Sequence, residues 1–184
     1  MRIISGKAKG VRLKALKGMD TRPTSDKVKE SIFNIIAPYV DDSKVLDLFS
    51  GTGNLGLEAV SRGAAYAYLI EKNRKCQPII KENINKAKLD DSIKLIIKDA
   101  VSALKMFKDN NERFDIIFMD PPYLKGFIIP CLEEISDLNL LNIDGIIVIE
   151  HDIKDILPET VKDITKFKER KYGTTMVSFY CKED

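Results

Sequence analysis

Few of the residues that build disulfide frameworks or metal centres occur in this sequence. It contains three cysteines and one histidine. Cys76, Cys131 and Cys181 lie far apart and form no C-x-x-C pair. The pattern therefore suggests neither a disulfide framework nor a zinc site. We expect three reduced thiols and no bound metal.

Long apolar runs are also missing. No stretch approaches the roughly 20 apolar residues that a membrane-spanning helix requires. The N-terminal sequence MRIISGKAKG is basic and lacks the apolar segment and cleavage site of a signal peptide. With 184 residues, 44% hydrophobic and 32% charged, the chain fits one globular domain. We expect a cytoplasmic protein without a membrane partner, and a monomer as the simpler assumption.

The net charge of +2 hides an uneven distribution. Residues 1–30 hold nine Lys or Arg against Asp20, Asp26 and Glu30, so this segment carries +6 and the remainder −4. A basic block on a mildly acidic domain is typical of a surface that binds a polyanion, usually nucleic acid. The alternative is a solvated terminal arm, and charge alone does not decide between the two.

The basic segment has the pattern of a β-hairpin. RIIS and VRLKAL are short strand-like runs on either side of a turn from Gly6 to Gly10. We therefore divide the single domain into a hairpin extension over residues 1–20 and a catalytic core over residues 21–184. The predicted nucleic-acid contacts in the hairpin are Lys7, Lys9, Arg12 and Lys14.

Beyond the hairpin, helices and strands alternate. Ser25 precedes a helical pattern over residues 26–36. Short apolar runs, typical of strands buried on both faces, occupy residues 44–49, 67–71, 93–98, 114–120 and 145–150. Helical segments between them occupy residues 55–62, 75–88, 100–108 and 127–138. Residues 164–172 and 174–181 flank Gly173 as a closing hairpin. This order predicts an α/β fold with a doubly wound, mostly parallel sheet and an antiparallel strand at its C-terminal end.

The first strand leads into a glycine-rich loop. In the sequence DLFSGTGNLG, residues 47–56, glycines separate a strand from a helix start. Glycine lets a ligand approach the backbone, and the free N–H groups of the helix face it. Glu71, at the next strand end, completes the pattern of a dinucleotide site. A nicotinamide-dependent oxidoreductase is therefore one alternative for this chain.

Asp47 favours a different cofactor. Its carboxylate precedes Gly51 by four positions, where it would repel the pyrophosphate of a dinucleotide but attract a cationic ligand such as S-adenosylmethionine. Asp99 follows the third strand and either accepts hydrogen bonds from an adenine amino group or caps the helix that starts at Ala100. The candidate cofactor residues are Asp47, Phe49, Gly51, Gly53, Glu71, Asp99 and Ala100.

The fourth strand ends in Asp120-Pro121-Pro122-Tyr123, the predicted catalytic residues. Proline fixes φ and has no N–H, so this turn is stiff. The Asp120 carboxylate and the Pro121 carbonyl can accept both hydrogens of a planar exocyclic amine, and Tyr123 offers a face for stacking of the attached base. Two fixed acceptors orient the nitrogen and stabilise the positive charge that develops during methyl transfer. The alternative is an ordinary surface turn.

The single histidine, His151, follows the fifth strand. It has two interpretations: a proton acceptor for the methylated amine, or a polar residue at a strand end without a catalytic role.

Together these motifs resemble the RsmD family of bacterial 16S rRNA guanine-N2 methyltransferases. The resemblance covers nearly the whole chain and rests on MRIISGKAKGVRLK, RPTSDKVKESIFNII, DLFSGTGNLGLEAVSRGA and DPPY. RPTSDKVKESIFN is the most discriminating of them, because the glycine motif and DPPY occur in many methyltransferases.

The resemblance implies a Rossmann-like class I methyltransferase with a seven-stranded sheet. It implies S-adenosylmethionine as cofactor and a guanine in 16S rRNA of the assembled 30S subunit as substrate. Arg22 and Thr24, in the matching segment with Asp26, would lie near the cofactor or the RNA target. An adenine amine in DNA or a glutamine amide in a protein is an alternative substrate, because the same acceptor turn suits any planar amine.

Overall fold

Apolar runs and amphipathic helices alternate along the chain much as the sequence predicts. The computed structural model describes residues 1–15 and 25–182. The helices in these ranges are α1 (Asp26–Ile35), α2 (Asn54–Ser61), α3 (Gln77–Ala87), α4 (Ala100–Asp109) and α5 (Ile128–Asp137). The strands are β1 (Lys44–Asp47), β2 (Tyr66–Ile70), β3 (Ile93–Ile96), β4 (Phe114–Met119), β5 (Leu141–Asp152), β6 (Thr160–Val161), β7 (Ile164–Tyr172) and β8 (Thr175–Lys182). None of the helices in this part of the chain is both long and apolar enough to cross a membrane.

The strands form one sheet in the order β3-β2-β1-β4-β5-β8-β7-β6. Strands β1 to β5 run parallel, whereas β8, β7 and β6 join them antiparallel. This confirms the doubly wound, mostly parallel sheet with an antiparallel C-terminal part. Among the described residues the sheet has eight strands rather than seven. The additional strand, β6, has two residues and is too short to give a hydrophobic pattern.

Helices cover both faces of the sheet. Strand β4 shows why, because Ile116 and Phe118 point into one core cluster while Ile117 and Met119 point into the other. The first cluster contains α1, α2, α3 and the N-terminal segment, and the second contains α4 and α5. The crossover helices therefore change face between β1 and β4, which is the point where doubly wound sheets bind ligands.

One strand boundary differs clearly from the prediction. Strand β5 begins at Leu141 rather than at residue 145. Asp144 adopts a left-handed conformation with φ 64°, and the pairing register with β4 shifts between Phe114 and Ile116. Such an irregularity interrupts the period of two on which the prediction depends.

The N-terminal segment has the predicted hairpin in a short form. Its two arms pair through one antiparallel bridge, between Arg2 and Arg12. Three backbone hydrogen bonds also join the arms, from the N–H groups of Ile3, Gly10 and Leu13 to the carbonyls of Val11, Ile3 and Met1 at 3.0, 2.8 and 3.2 Å. Much of its backbone bonds to α2: the Ile4 and Ser5 N–H groups donate to the Glu58 carboxylate at 2.8 and 3.1 Å, and the Lys7 N–H donates to the Ser61 carbonyl at 2.7 Å. The hairpin is thus held both by its own backbone hydrogen bonds and by a helix. Arg22, Thr24 and the proposed boundary at residue 20 lie outside the described residues.

A buried ion pair fixes this arrangement. Lys29 of α1 and Glu58 of α2 are both fully buried, with Lys29 Nζ 3.1 Å from Glu58 Oε2. The same ammonium group donates to the Arg2 carbonyl at 2.6 Å and to Asn54 Oδ1 at 2.7 Å. Burial lowers the pKa of Lys29, and the charge of Glu58 acts in the opposite direction. One side chain thereby joins the N-terminal segment, α1 and the start of α2.

Replacing Lys29 by Met should destabilise the fold strongly, because among the described residues it leaves the buried Glu58 charge with Arg62 alone as a cationic partner. We expect a loss of about 3 kcal/mol in the free energy of unfolding, measured by urea titration. The matched control is Lys27→Met, an exposed position on the same helix, which should cost less than about 0.5 kcal/mol. Equal stabilities of the two variants would show that the ion pair contributes nothing.

Candidate active site

The carboxyl ends of strands β1 to β4 open on a cavity of about 660 Å³. This volume lies within the range of small-molecule sites in proteins. Nine of the residues predicted for the cofactor and the amine line its wall: Asp47, Phe49, Gly51, Glu71, Ala100, Asp120, Pro121, Pro122 and Tyr123. The structure thus brings the glycine-loop residues and the DPPY turn together at one edge of the sheet.

Asp47 forms the acidic floor of the cavity. It is 1% exposed, and its Oδ2 accepts the Gly56 N–H at 3.0 Å. A Cβ at position 56 would lie 2.2 Å from the Leu69 side chain, so a larger residue there would have to displace that leucine or α2. The pKa of Asp47 is raised to about 7, chiefly by burial and also by the charge of Glu71, although the N–H groups of Gly56 and Phe49 oppose the rise. A cation bound nearby would therefore stabilise the ionised form.

Glu71 holds the glycine loop in place. Its Oε2 accepts the Gly51 N–H at 3.0 Å, and its Oε1 accepts the Asn73 N–H at 2.7 Å. A carboxylate has about four lone-pair positions, so each oxygen retains acceptor capacity for a hydroxyl donor. Gly51 has φ 55°, and no atom lies within 4 Å of the place a Cβ would take. The backbone there is open to a ligand.

Two predicted cofactor residues do not line the cavity. Gly53 has φ 82° and precedes the first residue of α2, so its role in the structure is to start that helix. Asp99 caps α4, accepting the Ser102 N–H at 2.9 Å, and this hydrogen bond lowers the pKa of its carboxyl. The capping alternative is therefore what the structure shows for Asp99, and its contact with adenine stays a prediction.

The DPPY turn is anchored through its tyrosine. The Tyr123 hydroxyl donates to Glu150 Oε1 of β5 at 3.1 Å and lies 3.5 Å from Thr175 Oγ1 of β8. Burial is the main cause that raises the pKa of Tyr123, and the charges of Glu150 and Asp120 add to it. The ring is therefore held by two strands while the neighbouring Asp120 faces the same cavity.

His151 lies away from the cavity wall. It is 1% exposed, its Nε2 is 2.9 Å from Ser178 Oγ, and its Nδ1 is 3.0 Å from the Asp152 carbonyl. Burial lowers the pKa of the imidazole. These contacts place the ring between β5 and β8, which favours the interpretation as a structural residue over that of a proton acceptor.

Sequence and structure comparisons identify the family. The family described as "Conserved hypothetical protein 95" matches residues 1–181. "Putative rRNA methyltransferase YlbH" of Bacillus subtilis is 43% identical over 99% of each chain. "Ribosomal RNA small subunit methyltransferase D" of Escherichia coli is 31% identical over 100% of this chain and 90% of its own. The chain belongs to the RsmD methyltransferase family.

A solved structure agrees with this assignment. The yhhF structure from Escherichia coli superposes with a TM-score of 0.86 at 31% identity, covering 100% of this chain and 98% of that chain. Membership in the RsmD family confirms the resemblance drawn from the motifs. It also favours methyl transfer over the nicotinamide-dependent alternative.

Sequence patterns missed several residues of the cavity wall. Met1 and Ala15 come from the N-terminal segment, and three lysines lie beyond the ends of β2, β3 and β4: Lys72, Lys98 and Lys125. The lysines follow strand ends, so the rule that found Glu71 and Asp120 was sufficient to find them too. Met1 and Ala15 gave no local signal, because only the folded segment brings them to the cavity.

The wall fits S-adenosylmethionine, the methyl donor of this RsmD family member. Asp47 and Glu71 suit its positive charges, and the open backbone at Gly51 leaves room for it. Asn54 also lines the cavity, and its buried Nδ2 has no hydrogen-bond partner among the described residues, as expected where a ligand or water supplies an acceptor. Within residues 1–15 and 25–182, no group of three or more His, Cys, Asp or Glu could hold a metal ion.

The raised pKa of Asp47 predicts a specific pH dependence. The folded state holds this proton more tightly than the unfolded state, where the pKa is 3.8. The stabilisation that protonated Asp47 contributes is therefore complete below about pH 4 and is lost as the pH rises to about 7. Asp47→Asn keeps an acceptor for Gly56 and removes the titration. We expect the unfolding free energy of this variant, relative to wild type, to rise by about 2 to 4 kcal/mol from pH 4 to 8.

Urea titrations at several pH values measure this difference. Asp109→Asn, an exposed position at the end of α4, serves as control and should follow the wild-type pH profile. Parallel profiles for Asp47→Asn and wild type would contradict a raised pKa at Asp47.

Proposed function

We propose that the protein transfers a methyl group from S-adenosylmethionine to the exocyclic N2 amine of a guanine in 16S rRNA of the small ribosomal subunit. The observation that carries this proposal is the shared cavity: an acidic floor from β1 and β2 and the DPPY turn after β4 face the same space. The name of the Escherichia coli relative, a small-subunit rRNA methyltransferase, supports the substrate.

Residues of the floor would bind the cofactor, which supplies a methyl group on a positively charged sulfur. Asp47 and Glu71 lower the energy of the bound cation, and the backbone at Gly51 admits it closely. Phe49 and Ala100 provide apolar surface on the same wall. Asp99 and Gly53 remain proposed contacts, although in the structure each primarily starts a helix.

The DPPY turn would hold the guanine. The amine lone pair is conjugated into the ring, so the nitrogen is a poor nucleophile until acceptors hold its two hydrogens in a geometry that takes the lone pair out of conjugation. Asp120 and the Pro121 carbonyl accept these hydrogens, and Pro122 stiffens the turn. Tyr123 stacks on the base, with its hydroxyl fixed by Glu150. Rigid placement of these groups is the catalytic contribution of the turn.

RNA phosphates would bind to the basic N-terminal segment. Lys7, Lys9, Arg12 and Lys14 are all exposed, while the apolar Ile3, Ala8 and Leu13 point into the protein. Lys14 also forms an ion pair with Glu82 at 2.7 Å, so its positive charge is already partly compensated. Arg22 and Thr24 stay proposed contacts. The lysines at the cavity mouth, Lys72, Lys98 and Lys125, would extend this surface to the target base.

We further propose that residues 1–184 act as one methyltransferase domain, with residues 1–20 as an extension, and as a monomer in the cytoplasm. The 30S subunit is the proposed partner, without a metal. The target guanine should be unpaired and accessible, because extrusion from a helix would cost a few kcal/mol.

Methyl transfer from labelled S-adenosylmethionine to unmethylated 30S subunits, naked 16S rRNA and DNA, followed by nucleoside mass analysis, tests the function. N2-methylguanosine on 30S subunits is the expected product. Label on DNA adenine or on a protein would keep the amine chemistry and overturn the substrate. No label on any of them would overturn the proposal.

Asp120→Ala should lower kcat about 100-fold, because it removes one of the two acceptors of the amine. Binding of S-adenosylhomocysteine, measured by calorimetry, should stay within about twofold of wild type, since the acidic floor is intact. Asp109→Ala provides the control with the same substitution on a distant surface. Wild-type turnover in Asp120→Ala would identify the turn as purely structural.

Neutralising Lys7, Lys9, Arg12 and Lys14 to Gln should flatten the salt dependence of 30S binding. Each lost phosphate contact reduces the slope of log K against log salt by about 0.7 to 0.9, so the loss of four contacts should reduce it by about 3 to 4 units. A second variant, with Lys72, Lys98 and Lys125 changed to Gln, tests the lysines at the cavity mouth in the same way. The control changes Lys94, Lys105 and Lys108, which lie toward the opposite end of the sheet. An unchanged slope in the first variant would exclude the N-terminal segment as the docking surface.

A further inference from the structure

The N-terminal segment, residues 1–15, has two functional faces. Its basic side chains point outward, while Met1 and Ala15 at its two ends line the cavity. The Thr52 hydroxyl of the glycine loop lies 3.6 Å from Met1 Sδ and can donate to it. Any displacement of the segment would therefore change the wall of the cofactor cavity.

Asn83 of α3 connects this segment to the glycine loop. The side chain is fully buried. Its Oδ1 accepts the Lys14 N–H at 2.7 Å, and its Nδ2 donates to the Lys14 carbonyl at 3.1 Å and to the Thr52 carbonyl at 3.0 Å. The amide thus pairs with both backbone groups of Lys14, as a neighbouring strand would, and bonds to the residue between Gly51 and Gly53.

Other contacts hold the rest of the segment, and among them the Leu13 N–H donates to the Met1 carbonyl at 3.2 Å. Glu58 and Ser61 of α2 bind residues 4 to 8, and none of these hydrogen bonds involves the backbone of Lys14. The ion pair of Lys14 with Glu82 is about half exposed and contributes little to stability. Asn83 instead makes three hydrogen bonds in a buried setting, where an amide left without partners is costly.

We propose that Asn83 is a positioning residue that couples cofactor binding to RNA binding. The two relevant states have Lys14 and Ala15 either docked on Asn83 or released from it, while Leu13 stays hydrogen-bonded to Met1. RNA held by Arg12 and Lys14 favours the docked state, and a cofactor that fills the cavity favours the same state through the wall at Ala15. Each ligand should then strengthen binding of the other by the same factor. This inference rests on the proposed contact between the segment and 16S rRNA.

The experiment measures binding of unmethylated 30S subunits with and without saturating S-adenosylhomocysteine. For the wild type we expect at least about fivefold tighter 30S binding with the cofactor product present. Asn83→Ala should bring this ratio close to one. Asn85→Ala, the same substitution at an exposed position on α3, should keep the wild-type ratio.

A second variant, Asn83→Asp, tests the donated hydrogen bonds separately. It preserves the volume and the acceptor for the Lys14 N–H but loses both donated hydrogen bonds, so it should also lower the ratio. Exchange of the Lys14 amide hydrogen in the wild type provides a readout that needs no variant, and S-adenosylhomocysteine should slow it about fivefold.

Three results would overturn the coupling: a wild-type ratio of one, a wild-type ratio retained by folded Asn83 variants, or a Lys14 exchange rate unaffected by S-adenosylhomocysteine. Failure of the wild type to bind 30S subunits at all, with S-adenosylhomocysteine still bound, would instead overturn the proposed substrate. The two failures are therefore distinguishable.

Discussion

The buried pair of Lys29 and Glu58 is the constraint on which the arrangement around the cavity depends. Two charges removed from water are stable only when they contact each other and their remaining hydrogen-bonding positions are filled. Here the Ile4 and Ser5 N–H groups, Arg62 and the Asn54 side chain fill those positions. As a result, the N-terminal segment, α1 and the start of α2 are fixed relative to one another. The glycine loop leads directly into α2, so its position depends on the same contacts.

Negatively and positively charged side chains lie at different depths in the cavity. Asp47 is buried on the floor, and Glu71 is engaged with the glycine loop, whereas Lys72 and Lys125 are exposed. A small cation therefore meets negative charge at the base of the site, while a large polyanion meets positive charge around its mouth. Because the two ligands of a nucleic-acid methyltransferase have opposite charges, this separation lets both bind to one cavity without competing.

The sequence predicted those parts of the site that depend on strand ends. Asp47, Glu71 and Asp120 were found because parallel strands deliver their carboxyl ends to one edge, a consequence of topology alone. Residues such as Asn83, Met1 and Ala15 were missed, because their roles arise from contacts across the sequence that no periodicity encodes. The hairpin was predicted from its local pattern and is present, but the pattern gave no sign that α2 would bind the backbone between its two arms.

The amine must lose a proton when it is methylated, and the fold determines which side chains can accept that proton. His151 is held by Ser178 and the Asp152 carbonyl between two strands, so its ring nitrogens are already engaged. Among the groups that line the cavity, Asp120 is the carboxylate on the turn proposed to bind the amine. A nitrogen that has gained a methyl group carries a positive charge and becomes strongly acidic, so a weak base in contact suffices to remove its proton. The acceptor that orients the amine can therefore also take its proton, without a separate general base.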